Sequence, residues 1–173
     1  MKTTRLLLGG SVLSLCILAG CSKSDNTTAQ PPPSAAPKSE TSAKPASGRA
    51  VLITANDTMK FNLTEIRAKP GEALALTLTN EGTVPKFSMG HNWVLLTIGT
   101  DLNAFATEAM NAAVTEYIPA SYKDRVLAAT KLLGPKESDT ILFYAPAQPG
   151  HYPFLCAFPG HLQVGMKGEL IVE

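Results

Sequence analysis

Cysteine is scarce in this chain of 173 residues, and its three copies are placed unevenly. Cys16 and Cys21 stand near the start, and Cys156 stands alone in the last third. A domain stapled by internal disulfides needs cysteines in pairs, so residues 49–173 cannot be one. An excess of charge of one sign is also missing. The formal net charge is +1, and residues 49–173 hold 10 Lys and Arg against 12 Asp and Glu with no basic cluster. Nothing in that balance suggests a nucleic-acid backbone as partner, and none is expected. Histidine is limited to His91, His151 and His161, and tryptophan to Trp93. There is no internal repeat. The longest apolar run, Leu6 to Ala19, is too short for a stable membrane anchor.

What is present first is an export signal. Lys2 and Arg5 precede that apolar run, and Leu18-Ala19-Gly20 precedes Cys21, which marks residues 1–20 as a secretory signal with small residues at its cut. A cysteine directly after such a cut resembles the bacterial lipobox. That resemblance implies diacylglycerol on the Cys21 sulfur, cleavage before it and acylation of the new amino terminus. An ordinary cleaved signal or an uncleaved anchor is the alternative. Ser22 is not aspartate, and by resemblance to lipoprotein sorting rules this favours the outer membrane, facing the periplasm. Residues 21–48 are rich in Ser, Thr, Ala, Pro and Lys, include Pro31-Pro32-Pro33 and lack apolar periodicity. They read as a disordered tether.

Residues 49–173 are enough for one domain with its own core. Strand-like runs recur at Val51–Thr54, Glu65–Ala68, Ala73–Thr79, Trp93–Ile98, Ile141–Tyr144, Tyr152–Cys156 and Leu170–Val172, separated by turns such as Lys69-Pro70-Gly71-Glu72. In Ala73–Thr79 the leucines fall on alternate residues, as in a half-buried strand. Leu102, Phe105, Ala106, Ala109, Met110 and Ala113 instead follow helical spacing after Asp101, a suitable N-cap. The expected fold is all-β, a Greek-key β-sandwich of about eight strands with one helical insertion.

The chemistry gathers on one loop, Cys156-Ala157-Phe158-Pro159-Gly160-His161, followed by Met166, with His91 far upstream. Two imidazoles, one thiolate and a distant thioether are the donors of a mononuclear type 1 copper site, because they suit both oxidation states of copper. Cys156, His91 and His161 are the equatorial candidates and Met166 the axial one, with the Gly90 carbonyl as a weak further donor. Metal ligation also explains a lone thiol in an oxidising compartment. Asn92 is placed to hydrogen-bond neighbouring backbone or the Cys156 sulfur. Trp93 reads as buried core, and His151 as an exposed residue at a strand start.

Met89-Gly90-His91-Asn92-Trp93-Val94, Cys156 to His161 and the later Met166-Lys167-Gly168 resemble azurin, and the similarity extends through Asn56-Asp57-Thr58-Met59-Lys60-Phe61-Asn62 and Thr130-Lys131-Leu132-Leu133-Gly134. The resemblance implies a cupredoxin fold, one copper ion as sole cofactor, and Gly90, His91, Cys156, His161 and Met166 as ligands. It also implies Phe158 beside the site, and Met59, Met89, Val84, Pro85, Pro159 and Leu162 as an apolar docking patch around an exposed edge of His161. Expected partners are redox proteins such as c-type cytochromes or terminal reductases and oxidases, met by a monomer. Four residues separate His161 from Met166, against three in azurins, a spacing closer to auracyanin or rusticyanin. The disulfide usual in azurin is absent.

Other readings use the same residues. A thiol enzyme would make Cys156 a nucleophile with His161 or His91 as base, and leaves Met166 and Gly90 without a role. A copper storage or delivery lipoprotein needs the same donors but no electron traffic. A surface lipoprotein that contacts other cells could keep the domain as scaffold. Electron transfer rather than catalysis is the reading that uses every residue.

Overall fold

A computed structural model describes residues 45–173. The signal, Cys21 and nearly all of the tether lie outside the described residues. In chain order the elements are β1 (Arg49–Ala55), β2 (Glu65–Ala68), β3 (Ala73–Asn80), α1 (Lys86–Met89), β4 (Val94–Leu96), α2 (Leu102–Ala109), β5 (Val126–Ala129), β6 (Ser138–Tyr144), β7 (Gly150–Leu155) and β8 (Lys167–Val172). They form two sheets, ordered β1-β3-β6 and β2-β8-β7-β4-β5. Both are mixed: β1 runs parallel to β3 and β2 parallel to β8, while the remaining pairs are antiparallel.

Alternation decides which side chains face inward. Leu74, Leu76 and Leu78 of β3 are fully buried and join Val51 and Ile53 of β1. From the other sheet come Ile66, Leu95, Phe154, Leu170 and Val172, in the same apolar cluster. Each fully buried leucine or isoleucine contributes about 1.5–3 kcal/mol relative to exposure. Trp93 ties the sheets together, its ring lying 5.8 Å from Phe143 of β6 and 5.3 Å from Phe154 of β7. It is buried core, as its apolar setting suggests.

The larger sheet is covered on its outer face too. Val94, Leu96 and Leu155 point there and pack with Phe105, Ala106 and Ala109 of α2, which is why the short strand β4 is buried at every position. Asp101 starts α2 by accepting hydrogen bonds from the Asn103 and Ala104 N–H groups at 2.9 and 3.1 Å. The helix ends at Ala109, short of the Ala113 that the spacing suggested. Met110 is exposed, and Ala113 opens a 3-10 turn instead. The strand expected over Trp93–Ile98 contracts to Val94–Leu96, because its pairing with β5 shifts register after Leu95.

Candidate metal centre

His91 follows α1 and Gly90. A Cβ at Gly90 would lie 2.7 Å from the Lys86 carbonyl oxygen and 3.0 Å from Leu132 Cγ, so the approach of α1 to Leu132 requires glycine. His91 is then clamped by two backbone bonds to Leu133, its N–H donating over 3.1 Å and its carbonyl accepting over 2.8 Å. Cys156 directly follows β7 and begins a closed loop. The Cys156 N–H donates to the Met166 carbonyl (3.1 Å), and the Met166 N–H donates to the His161 carbonyl (2.9 Å). Gly160 and Gly165, both at φ +86, supply the left-handed turns that let the loop fold back.

Cys156, His161 and Met166 thus leave one strand end, while His91 comes from another segment of the sandwich. Folding brings three of these side chains into one donor cluster. Cys156 Sγ lies 3.3 Å from His161 Nδ1 and 3.9 Å from His91 Nδ1. All three donor atoms lie within 4.8 Å of one another, and all three residues are buried. Met166 is fully buried and joined through its backbone to both loop ligands.

Burial makes this cluster uncharged without a metal. It pushes the Cys156 thiol up to about 12, against backbone N–H groups of Asn92 and Phe158 that favour the thiolate. It pushes His161 down to about 4, with His91 adding to the effect. Burial likewise lowers His91, opposed by the Asn56 carbonyl and then Asp57. The Asn56 influence falls short of a formed bond, since His91 Nε2 has no hydrogen-bond partner. Two imidazole nitrogens facing one sulfur, without a carboxylate among them, suit a soft or borderline metal ion, whose charge would displace the thiol proton. Copper fits this donor set.

Asn92 holds the surroundings in place. Its Oδ1 accepts the Ala157 N–H and its Nδ2 donates to the Glu116 carbonyl, each over 2.8 Å. The side chain therefore bonds backbone rather than sulfur, and it fastens the Cys156 loop to the helical insertion. Phe158 packs on His161 with ring centres 4.8 Å apart, and Tyr117 packs edge-on against Phe158 at 5.1 Å. Sequence reasoning missed Glu116 and Tyr117. Both take left-handed backbone conformations without being glycine, so the residue types carry no signal of the turn.

The expected docking patch is partly corrected. Pro85 is exposed, and Met59, Val84, Met89 and Pro159 are half-buried. Leu162 is only 7 % exposed because it packs into the cluster under α2, so it is core and not surface. His161 itself is 2 % exposed and presents no broad edge. Phe87, overlooked in the run Val84-Pro85-Lys86-Phe87, is 82 % exposed, and Val164 on the Cys156 loop is exposed as well. His151 stands on the exterior of β7 with Nδ1 2.9 Å from Glu169 Oε2, outside the donor cluster.

A two-sheet sandwich closed at one end by this buried His-Cys-His cluster defines a cupredoxin. The family model for copper-binding proteins of the plastocyanin/azurin family matches residues 49–173, and the chain belongs to that family. Azurin of Achromobacter denitrificans is 39% identical over 121 residues, covering 68% of this chain and 80% of that protein. Outer membrane protein H.8 of Neisseria gonorrhoeae is 39% identical over 114 residues, covering 65% of this chain and 61% of the relative. Among solved structures, reduced auracyanin from Roseiflexus castenholzii superposes with a TM-score of 0.63 at 36% identity, over 72% of this chain and 96% of that one. With this membership, the cluster of His91, Cys156 and His161, the one such group among the described residues, fits one copper ion.

Proposed function

We propose that this chain is a membrane-tethered blue copper protein that passes single electrons between redox proteins of the cell envelope. The observation that carries the reading is the convergence of His91 Nδ1 and His161 Nδ1 on Cys156 Sγ among buried residues. His91, Cys156 and His161 would hold the ion, with the Met166 sulfur and the Gly90 carbonyl as weaker donors. Copper supplies a one-electron couple between its two oxidation states. The chain supplies rigidity: the Leu133 clamp on His91, the loop bonds through Met166 and the Asn92 bridge keep the donors in one arrangement whichever charge they face. All three donor residues are buried, and donors closed off from solvent favour a carrier over an enzyme.

Partners such as c-type cytochromes or terminal reductases and oxidases would meet a monomer at the apolar surface of Pro85, Phe87, Met89, Pro159 and Val164, with Val84 and Met59 at its margin. Brief encounters suit a patch of this kind. Lipid on Cys21 would hold the chain at the outer membrane, facing the periplasm, with residues 21–48 as tether and 49–173 as the copper domain. The name of the Neisseria relative, an outer membrane protein, supports that placement. An anchored carrier keeps a high effective concentration near membrane partners.

The test is a visible and EPR spectrum of the copper-loaded protein beside Cys156→Ser. An intense thiolate-to-copper band with small copper hyperfine splitting, both lost in the variant, is expected. A colourless protein, or spectra that survive loss of the thiol, would remove the blue-copper reading. For the anchor, radiolabelled palmitate is incorporated by the native chain and not by Cys21→Ala. Equal labelling of both would sink the lipidation claim.

A further inference from the structure

The turn between β1 and β2 touches both halves of the donor cluster. Its Asn56 carbonyl favours a protonated His91 without forming a hydrogen bond to it. Its Asp57 carboxylate accepts the Thr83 N–H at 2.9 Å, holding the segment that leads into α1 and Gly90. Its third contact goes to the other half, across 104 positions of sequence: the Lys60 ammonium donates to the Val164 carbonyl. Local structure dictates this reach. Met59 is left-handed at φ 55, its N–H bonded to the Asn56 carbonyl at 3.0 Å. Phe61 is buried on the other side, its ring 5.8 Å from Phe154. Lys60 is thus fixed at its base between a tight turn and a core anchor.

The receiving turn, Leu162 to Met166, is the longer of the loop's two bends. Backbone takes three of its carbonyls, those of Leu162 (from Gly165 N–H, 2.9 Å), Gly165 (from Lys167 N–H, 3.0 Å) and Met166 (from Cys156 N–H, 3.1 Å). The Gln163 and Val164 carbonyls have no such backbone donor among the described residues, and Lys60 takes that of Val164. Gly165 is left-handed at φ +86, and a Cβ there would lie 3.1 Å from Lys60 Nζ, so the ammonium sits directly against this bend.

We propose that Lys60 is a positioning residue for the copper loop: its ammonium closes the Leu162–Met166 bend by capping the Val164 carbonyl and so holds Met166 in its place beside the donor cluster. A bond to a charged donor is stronger than a neutral one. The bend carries Met166 at its end, so a change in the bend moves the thioether relative to Cys156 and the two histidines.

The first readout needs no copper and is independent of the function proposed above. In the copper-free intact protein, Lys60→Met raises amide hydrogen exchange at Gly165 and Met166 by about three- to tenfold, the loss of one charge-assisted bond. Exchange at Leu76 and Leu78 in β3 stays unchanged, and Lys60→Arg restores the native rate at the bend. The second readout rests on the copper reading: in the loaded protein Lys60→Met changes the EPR rhombicity and shifts the reduction potential, and Lys60→Arg brings both back. Equal exchange at the bend in Lys60→Met and the native chain overturns the proposal, as does failure of Lys60→Arg to restore it. A native protein that is not blue would defeat the copper reading alone, with the exchange result still deciding the role of Lys60.

Discussion

Strands β1 and β8 both run between the two ends of the sandwich, and those ends are held by opposite means. β1 starts at Arg49 and β8 ends beside Glu173, where Arg49 pairs with Glu72 at 2.5 Å and Arg67 pairs with Glu173 at 2.5 Å and with Glu65 at 2.9 Å. These pairs are half-exposed and screened by solvent. At the other end β1 leads into Asn56 and β8 departs from Met166, and there the donor residues His91, Cys156 and His161 are buried and uncharged. Among the described residues, His91 Nε2 and Trp93 Nε1 both lack hydrogen-bond partners. Leaving buried donors unpaired costs free energy. One end therefore carries ordinary surface pairing of small consequence, while the other gives up stability to hold a geometry.

That contrast predicts a graded set of responses. The largest comes from the core between the two ends: Phe154→Ala should destabilise by about 3–5 kcal/mol, since its ring touches both Phe61 and Trp93. Denaturant melts check it, and a loss under about 1 kcal/mol would mean that the sheets do not depend on this contact. Next is Asn92→Ala, which strands the Ala157 N–H and the Glu116 carbonyl and should cost about 2–4 kcal/mol. Its effect should concentrate at the site end, seen as weaker copper retention than in any variant of the ionic end.

Acid sharpens the comparison further. In copper-free protein the unfolded histidines take protons near their ordinary value, while folded His161 resists until about 4 and folded His91 is also held below its ordinary value. Stability contributed by the neutral rings is then complete above about pH 6.5 and lost as pH falls through about 4. The Glu72 carboxylate, lowered by Arg49 and the Lys69 N–H, contributes stability that begins to fall only as pH drops through the ordinary carboxylate range. Denaturant midpoints measured from pH 7 to 4.5 should fall in the copper-free form. Copper bound to neutral imidazoles and a thiolate is released on unfolding as those groups take up protons, so loading should raise the midpoint but steepen that slope, and an unchanged slope after loading would argue against ligation by these residues. The smallest effect belongs to the ionic end: a double-mutant cycle on Arg49 and Glu72 should give under about 1 kcal/mol and fade in high salt.

Much of the site was legible because its chemistry is local. Cys156, His161 and Met166 share one loop, and Met89-Gly90-His91-Asn92-Trp93 is distinctive even far away. Strand β3 was readable from its alternate leucines, and Asp101 announced α2. Strand β5 was not: Val126-Leu127-Ala128-Ala129 is short, alanine-rich and incompletely buried, and it becomes a strand by pairing with β4. Leu162 misled for a related reason, because a leucine on a loop looks like surface until α2 is seen to cover it. The left-handed turn at Glu116 and Tyr117 and the reach of Lys60 to Val164 depend on contacts between distant segments, which no local pattern encodes.

The most direct test of the account is a spectroelectrochemical titration of the copper-loaded protein in the presence of a copper chelator. The account predicts a reversible one-electron couple, with the visible band bleaching on reduction and returning in full on oxidation while copper stays bound. A band that fails to return, with copper passing to the chelator on reduction, would contradict an electron carrier and make copper delivery the function.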